Sequence, residues 1–172
     1  MNRVYLILGG NMGKRDEVMF HALRKIDRQV GKIIQQSSIY ETAPWGFKDQ
    51  ALFYNCVVLL ETQNSAMEVL EKILSIEQQI GRIRGEQKWQ ERLIDIDILF
   101  FNDDIIEAQT LQVPHPLMHK RRFTLIPLSE ISPDYIHPGL KMKVRDLLIS
   151  CEDKLEAKKV IESKLFMDII SS

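Results

Sequence analysis

Residues 3–8, RVYLIL, form an apolar run of strand length, and Gly9-Gly10-Asn11-Met12-Gly13 ends it in a loop. Over 14–30 the period changes. Val18, Leu23, Ile26 and Val30 recur as part of one helical stripe. Residues 32–41, KIIQQSSIYE, predict a second strand, Thr42 to Gln50 a loop holding Ala43-Pro44-Trp45-Gly46, and 53–62, FYNCVVLLET, a third strand. Ser65 and Glu68 have the spacing of a capping box and open a helix that runs to about Ile80. Ala66, Val69, Ile73, Ile76 and Ile80 share a face of that helix, and Gly81 stops it. Residues 94–101 predict one more strand.

The order β-α-β-β-α-β predicts an α+β chain with a ferredoxin-like antiparallel sheet and both helices on one face. The other face then needs a cover. Residues 105–150 supply a candidate cap, with Val113-Pro114-His115-Pro116, an apolar run over 123–131, Pro133 and Pro138-Gly139. From Asp153 the chain has the pattern of an amphipathic helix over about 153–170, with Leu155, Val160, Ile161, Leu165 and Ile169 as its apolar positions. With no repeat or linker, the 172 residues are expected to form a single domain with its core in about 3–101.

Composition adds little. The chain is 45% hydrophobic and 27% charged, with a formal net charge of −1, so it has no general attraction for nucleic acid or anionic membrane. The local balance differs. Between Arg82 and Arg92 stand Arg82, Arg84, Lys88 and Arg92 against Glu86 and Glu91, a pattern that points to a small anionic ligand. Cys56 and Cys151 have no metal spacing, and Cys56 reads as a buried free thiol. The first residues lack a signal-peptide pattern and no segment has the length of a membrane span, so a cytoplasmic protein is expected.

The chemistry is concentrated in LIDIDILFF. On a strand, Asp95 and Asp97 point the same way, with Cβ atoms roughly 6–7 Å apart, while Ile94, Ile96 and Ile98 take the other face. Two carboxylates side by side repel, and burying them is costly. A divalent cation removes that cost, and Mg²⁺ characteristically combines carboxylates with phosphate oxygens. A solvated face is the competing reading, disfavoured because aspartate is depleted in strands and both flanks are aliphatic. Arg82, Arg84 and Arg92 lead into this strand, and arginine is a forked donor for phosphate. The combination suggests an Mg-nucleotide site and phosphoryl-type chemistry.

Other residues read two ways. Trp89 is either a core anchor or a plate for a flat heterocycle. By spacing alone Glu77 is a plain helix-flank carboxylate, and His115, between two prolines, is a turn residue. Asn55, in an apolar strand, needs hydrogen-bond partners that a purine- or pterin-like ring edge could supply. Gly9-Gly10-Asn11-Met12-Gly13 matches neither GxGxxG nor a Walker loop.

Taken together, the opening LILGGNMG, the segment YETAPWGFKDQALFYN, the block GRIR…W..R..DIDIL, and VPHP followed by RRF resemble the 6-hydroxymethyl-7,8-dihydropterin pyrophosphokinase family over residues 3 to about 150. The resemblance implies transfer of the terminal diphosphate of ATP to the pterin hydroxymethyl group with release of AMP, in folate biosynthesis. It implies two Mg²⁺ ions on Asp95 and Asp97, with Arg82 and Arg92 counted among the catalytic residues. Arg82, Arg84, Arg92, His115 and Arg121 would contact ATP phosphates or ribose, with Glu77 and Trp89 near the nucleotide and Leu70 and Ile98 walling the adenine. Thr42, Ala43, Trp45, Phe53, Asn55, Trp89, Asp95 and Phe123 would form the pterin pocket. The chain departs from the family's usual pattern at Gly9-Gly10-Asn11, at Ala51 and at Gln90-Glu91. Glu91 is expected to face away from the phosphates.

The partners implied are ATP and a reduced hydroxymethylpterin, without nucleic acid, membrane or an obligate protein partner. A non-catalytic ferredoxin-like module for nucleotide, ligand or RNA shares the element order. It leaves the DxD pair and three arginines without a purpose, and FYNCVVLLE lacks the basic-glycine start of an RNA-recognition strand.

Overall fold

The computed structural model describes residues 1–45, 51–81 and 93–164. Its elements begin with β1 (Asn2–Gly10), α1 (Arg15–Gln29), β2 (Lys32–Gln36), β3 (Ile39–Thr42), β4 (Phe53–Thr62), α2 (Ala66–Ile80) and β5 (Asp95–Phe101). A two-stranded ribbon of β6 (Ile106–Glu107) and β7 (Gln112–Val113) follows, then α3 (Arg122–Ile131), α4 (Val144–Ser150) and β8 (Ala157–Ile161). The main sheet runs β5-β1-β4-β3-β8, with β2 also on β4, and every pairing is antiparallel. This is the ferredoxin-like order expected from the sequence.

Alternation along the strands divides the interior in two. Val4, Leu6, Leu8, Val58, Leu60, Ile96 and Ile98 face α1 and α2, where they meet Met19, Leu23, Ile26, Val69, Ile73 and Ile76. Tyr5, Ile7, Val57, Leu59 and Phe100 take the opposite face, under Met118, Leu128 and Val144 of the cap. Both faces of β1 and β4 are therefore buried, which is why RVYLIL and CVVLL are continuous apolar runs rather than alternating ones. Cys56 is fully buried, and burial pushes its thiol up to about 12, so it carries no thiolate at neutral pH.

The start of α2 is the expected capping box. Ser65 Oγ accepts from Glu68 N at 3.2 Å, and the Glu68 carboxylate accepts from Ser65 N at 2.7 Å. Those two bonds hold the Glu68 carboxyl below its ordinary range. Gly81 ends the helix at φ 104°, a left-handed conformation that favours glycine.

Two expectations are corrected. The strand expected over 32–41 is broken into β2 and β3 at Ser37-Ser38. Ser37 Oγ accepts from Val57 N at 2.9 Å, and the Glu130 carboxylate of α3 accepts from both Ser38 N and Ser38 Oγ. Side chains thus take over backbone partners that a continuous ladder would have used. The helix expected over 153–170 is a strand at Ala157–Ile161, paired with β3. Leu155 and Val160, part of the presumed apolar stripe, are 39% and 36% exposed, so no helical face is being buried there. What the segment satisfies instead is the open edge of β3, whose backbone groups need partners. Leu165 and Ile169 lie outside the described residues. No helix among the described residues is long and apolar enough to cross a membrane.

Gly31 joins α1 to β2 where no side chain fits. A Cβ there would lie 2.4 Å from the Glu61 carbonyl oxygen and 2.7 Å from Thr62 Cβ. Gly31→Ala should therefore destabilise the protein by about 1–3 kcal/mol, the scale of overpacking against backbone. A urea midpoint equal to that of the parent protein would show that the α1–β2 junction yields instead.

Candidate active site

The register of β5 on β1 builds the site. Asp95 pairs with Gly9 and Asp97 with Ile7, and Ile7 belongs to the cap-side core. Both aspartates are therefore on the cap face of the sheet, half-buried, while Ile96 and Ile98 are buried among the helices. On the next strand but one, Phe53 and Asn55 take the same face, because Asn55 is also the partner of Gly9. Gly9 has to lack a side chain: a Cβ would come 2.6 Å from Asn55 Oδ1. Asn55 and Thr42 are 4% and 2% exposed, and Asn55 Nδ2 donates to Thr42 Oγ1. The partner that the buried amide needed is thus supplied by β3.

Arg121, at the start of α3, closes the space over these residues. Its guanidinium carbon lies 4.7 Å from the Trp45 ring centre and 5.6 Å from that of Phe123. Burial lowers the Arg121 pKa, and the charges of Asp97 and Asp95 oppose that shift. Among the described residues its buried Nε has no hydrogen-bond partner. A buried cationic donor of this kind, beside two carboxylates, is disposed toward an anionic ligand.

His115 lies on the outer edge of β5, its backbone N donating to the Leu99 carbonyl at 3.0 Å. Its Nδ1 accepts from Leu117 N at 3.2 Å, which leaves Nε2 as the protonated nitrogen of the neutral ring. Burial and the nearby Arg121 charge push its pKa down to about 4, against a smaller opposing effect of Asp95. His115 is therefore a neutral donor at physiological pH and not a cation.

Glu77 turns out to be more than a helix-flank carboxylate. It is 1% exposed and accepts from Ile96 N, the amide between the two aspartates, at 2.8 Å. β5 is an end strand, and Glu77 supplies an acceptor that a further strand would have provided. Leu70 packs against the helix-side core that contains Ile98. Those two residues thus stand on the sheet face opposite the aspartates, and β5 separates the two groups.

Arg82, Arg84, Trp89, Arg92 and the Gln90-Glu91 departure lie outside the described residues, as do Gly46 and Gln50. The described ends of the arginine segment do come together. A Cβ on Gly81 would lie 3.3 Å from Leu93 Cδ1, and one on Gly10 would lie 2.2 Å from the Leu93 carbonyl oxygen. Gly81 and Leu93, the described residues on either side of it, are therefore neighbours, and Leu93 leads into the DxD strand.

Two residues not singled out in the sequence hold the stem of the Trp45 loop. Arg15 donates to the Leu52 carbonyl at 2.9 Å, pairs with Glu41 at 3.0 Å and lies 4.0 Å over the Tyr54 ring. Asn11 Nδ2 donates to the Ala51 carbonyl at 3.2 Å. Asn11 had a signal in GGN; an arginine opening a helix had none.

The family model described as 7,8-dihydro-6-hydroxymethylpterin-pyrophosphokinase (HPPK) matches residues 5–133. The chain belongs to this family. It is 41% identical over 146 residues to a 2-amino-4-hydroxy-6-hydroxymethyldihydropteridine pyrophosphokinase of Aquifex aeolicus (strain VF5), covering 85% of this chain and 90% of the relative. It is 42% identical over 131 residues to the protein of the same name from Bacillus subtilis (strain 168), covering 76% and 78%. Among solved structures it is similar to Plasmodium falciparum HPPK-DHPS wild type with pteroate, at a TM-score of 0.73 and 21% identity. That likeness covers 86% of this chain but only 42% of the solved one, and speaks for the fold alone. The expected family, its ferredoxin-like fold and its membership among ATP-dependent diphosphotransferases are thus borne out.

Two outcomes test the edge of β5. Glu77→Ala should cost about 1–3 kcal/mol by orphaning the Ile96 amide, and Glu77→Gln, which keeps an oxygen acceptor, should cost less. Equal urea midpoints for the two variants would sink this account. For His115 the sign follows from its lowered pKa: the unfolded chain protonates near the ordinary 6.5 while the folded one resists to about 4. Its contribution is complete above pH 6.5 and is lost as pH falls through that window. His119 and His137 shift the same way. His115→Gln should therefore reduce, without abolishing, the loss of stability between pH 7 and pH 5, and an undiminished loss would contradict the assignment.

Proposed function

We propose that this chain transfers the diphosphate of ATP to the hydroxymethyl group of 6-hydroxymethyl-7,8-dihydropterin, releasing AMP, in folate biosynthesis. The observation that carries this reading is the shared cap face of Asp95 and Asp97, opposed by Arg121 and the neutral His115, with Trp45, Phe123, Thr42, Phe53 and Asn55 alongside. Acidic, cationic and aromatic groups meet at one end of the sheet. The family membership supports the same chemistry.

The donor set fits Mg²⁺. Two half-buried carboxylates two residues apart offer hard oxygen ligands, and no cluster of three metal-binding side chains occurs among the described residues. Remaining coordination positions would fall to phosphate oxygens and water, as Mg²⁺ prefers. Held by Asp95 and Asp97, two Mg²⁺ ions would neutralise phosphate charge and favour the alkoxide form of the pterin hydroxyl.

The residues then have distinct tasks. The pterin hydroxyl oxygen attacks the β-phosphorus, the bond to the oxygen bridging the α- and β-phosphates breaks, and AMP leaves with that oxygen. Arg121 supplies its unsatisfied donor to the transferring group, joined by Arg82, Arg84 and Arg92. His115 donates through Nε2 to a phosphate or ribose oxygen. Leu70 and Ile98 wall the adenine from the helix side of β5, with Glu77 keeping that edge in register. Thr42, Ala43, Trp45, Phe53, Asn55 and Phe123 enclose the pterin, and Trp89 is assigned to binding of both nucleotide and pterin. The contribution of the protein is positioning and charge rather than a covalent nucleophile.

Incubation with MgATP and the reduced hydroxymethylpterin, followed by nucleotide chromatography, tests the proposal. AMP that forms only with pterin present supports it. ADP would mean an ordinary kinase, and no product would favour a binding module. Asp97→Ala should lower kcat by at least about 100-fold, the scale of several kcal/mol of lost charge stabilisation. Its thermal midpoint should stay close to that of the parent, because one of two adjacent carboxylates has been removed. A kcat within a few fold of the parent at saturating Mg²⁺ would exclude Asp97 as a metal ligand.

A further inference from the structure

The family match ends at residue 133, yet a later segment touches both sides of the proposed substrate slot. Asp153 Oδ2 accepts from Arg122 N at 2.9 Å, across 31 positions of sequence. Arg122 stands between Arg121 and Phe123, the cation and the ring that close the slot. Asp153 Oδ1 accepts from Leu155 N at 2.9 Å, so the carboxylate is itself held in place. Just beyond, β8 pairs with β3 along its outer edge and reaches Thr42 through Ala157. One short stretch of chain therefore braces the α3 side and the β3 side together.

We propose that Asp153 is a positioning residue for the substrate slot, holding the turn Arg121-Arg122-Phe123 in the orientation that presents a guanidinium and a ring to the ligands. The proposal rests on the function given above. The turn needs an external hold for two reasons. First, Arg121 occupies the N-cap position of α3 and provides no side-chain cap, because a guanidinium has no acceptor to offer the first-turn amides. Amides in the first turn of a helix have no partner within the helix. Second, Pro127 lies inside α3 and has no N–H to give the carbonyl of Phe123. The turn that carries the slot residues thus lacks both a cap of its own and one bond of its ladder. A carboxylate from the tail supplies the missing acceptor, and its charge suits the positive end of the helix. Distance in sequence from the motif block says nothing against such a role, since a small shift of Arg121 or Phe123 changes the width of the slot directly.

The test compares Asp153→Ala, Asp153→Asn and the exposed neighbour change Glu152→Ala in the full chain. Amide hydrogen exchange at Arg122, followed by NMR in the free protein, should quicken roughly tenfold or more in Asp153→Ala. It should stay near the parent rate in Asp153→Asn, which keeps an oxygen acceptor, and in Glu152→Ala. The KM for the hydroxymethylpterin should rise by about fivefold or more in Asp153→Ala and recover in Asp153→Asn, with the thermal midpoint nearly unchanged. Unaltered exchange at Arg122 overturns the proposal. So does faster exchange with an unaltered pterin KM, which would leave Asp153 a structural cap only. A parent protein that forms no AMP is a separate result: the functional reading fails, and the pterin dissociation constant, measured by calorimetry on the same three variants, then takes the place of KM, a rise in Asp153→Ala supporting the proposal and an unchanged value overturning it.

Discussion

The pairing of β5 with β1 is the constraint on which the site depends. It sets Asp97 opposite Ile7 and Asp95 opposite Gly9, so both carboxylates emerge on the cap face. A slip of one residue would carry them into the layer of Val4, Leu6, Leu8 and Val58 against the helices, where ionised carboxylates would have no water. Ile94, Ile96 and Ile98 prevent that slip, since the same shift would push three buried aliphatic side chains out of the core. The register that is best for the core is thus also the one that assembles the acidic pair.

At three places among the described residues a carboxylate accepts a backbone amide where regular pairing gives out. Glu77 takes the Ile96 amide on the open edge of β5, Glu130 takes the Ser38 amide where β2 breaks from β3, and Asp153 takes the Arg122 amide at the uncapped start of α3. Each comes from a different part of the chain, and the Glu77 and Asp153 bonds fall on amides directly beside residues proposed to meet substrate. Glu130 also accepts from the Tyr40 hydroxyl, and burial together with this bond raises the Tyr40 pKa. An anionic acceptor makes a stronger hydrogen bond than a neutral one, which suits it to breaks in secondary structure that must not drift. The site carries charge of both signs, and the backbone around it is held by carboxylates from elsewhere in the chain.

Much of this was legible in one dimension. The helical stripe of α1, the capping box at Ser65, the stop at Gly81 and the shared face of Asp95 and Asp97 depend on neighbours within a few positions, so periodicity reports them. The tail was misread because Leu155, Val160 and Ile161 satisfy a helical spacing as well as an extended one, and what decided between them was the open edge of β3 more than a hundred positions earlier. The break at Ser37-Ser38 was hidden for the same reason: the acceptor that allows it is Glu130. Glu77 looked ordinary because the amide it serves belongs to another element.

By itself the sequence determined the β-α-β-β-α-β order of the first part of the chain, the two faces of the Asp95–Asp97 strand, the family, and the residue types of an acidic pair preceded by arginines. These follow from local spacing and from motifs whose residues are close in the chain. Tertiary structure alone decided that His115 is a neutral donor, that Arg121 stands between Trp45 and Phe123 with an unsatisfied Nε, that Arg15 and Asn11 hold the Trp45 loop, and that Asp153 reaches Arg122. The physical reason is common to all four. Desolvation, charge coupling and hydrogen bonds across long sequence separations depend on which surfaces meet, and only the packing of cap, sheet and tail brings those surfaces together.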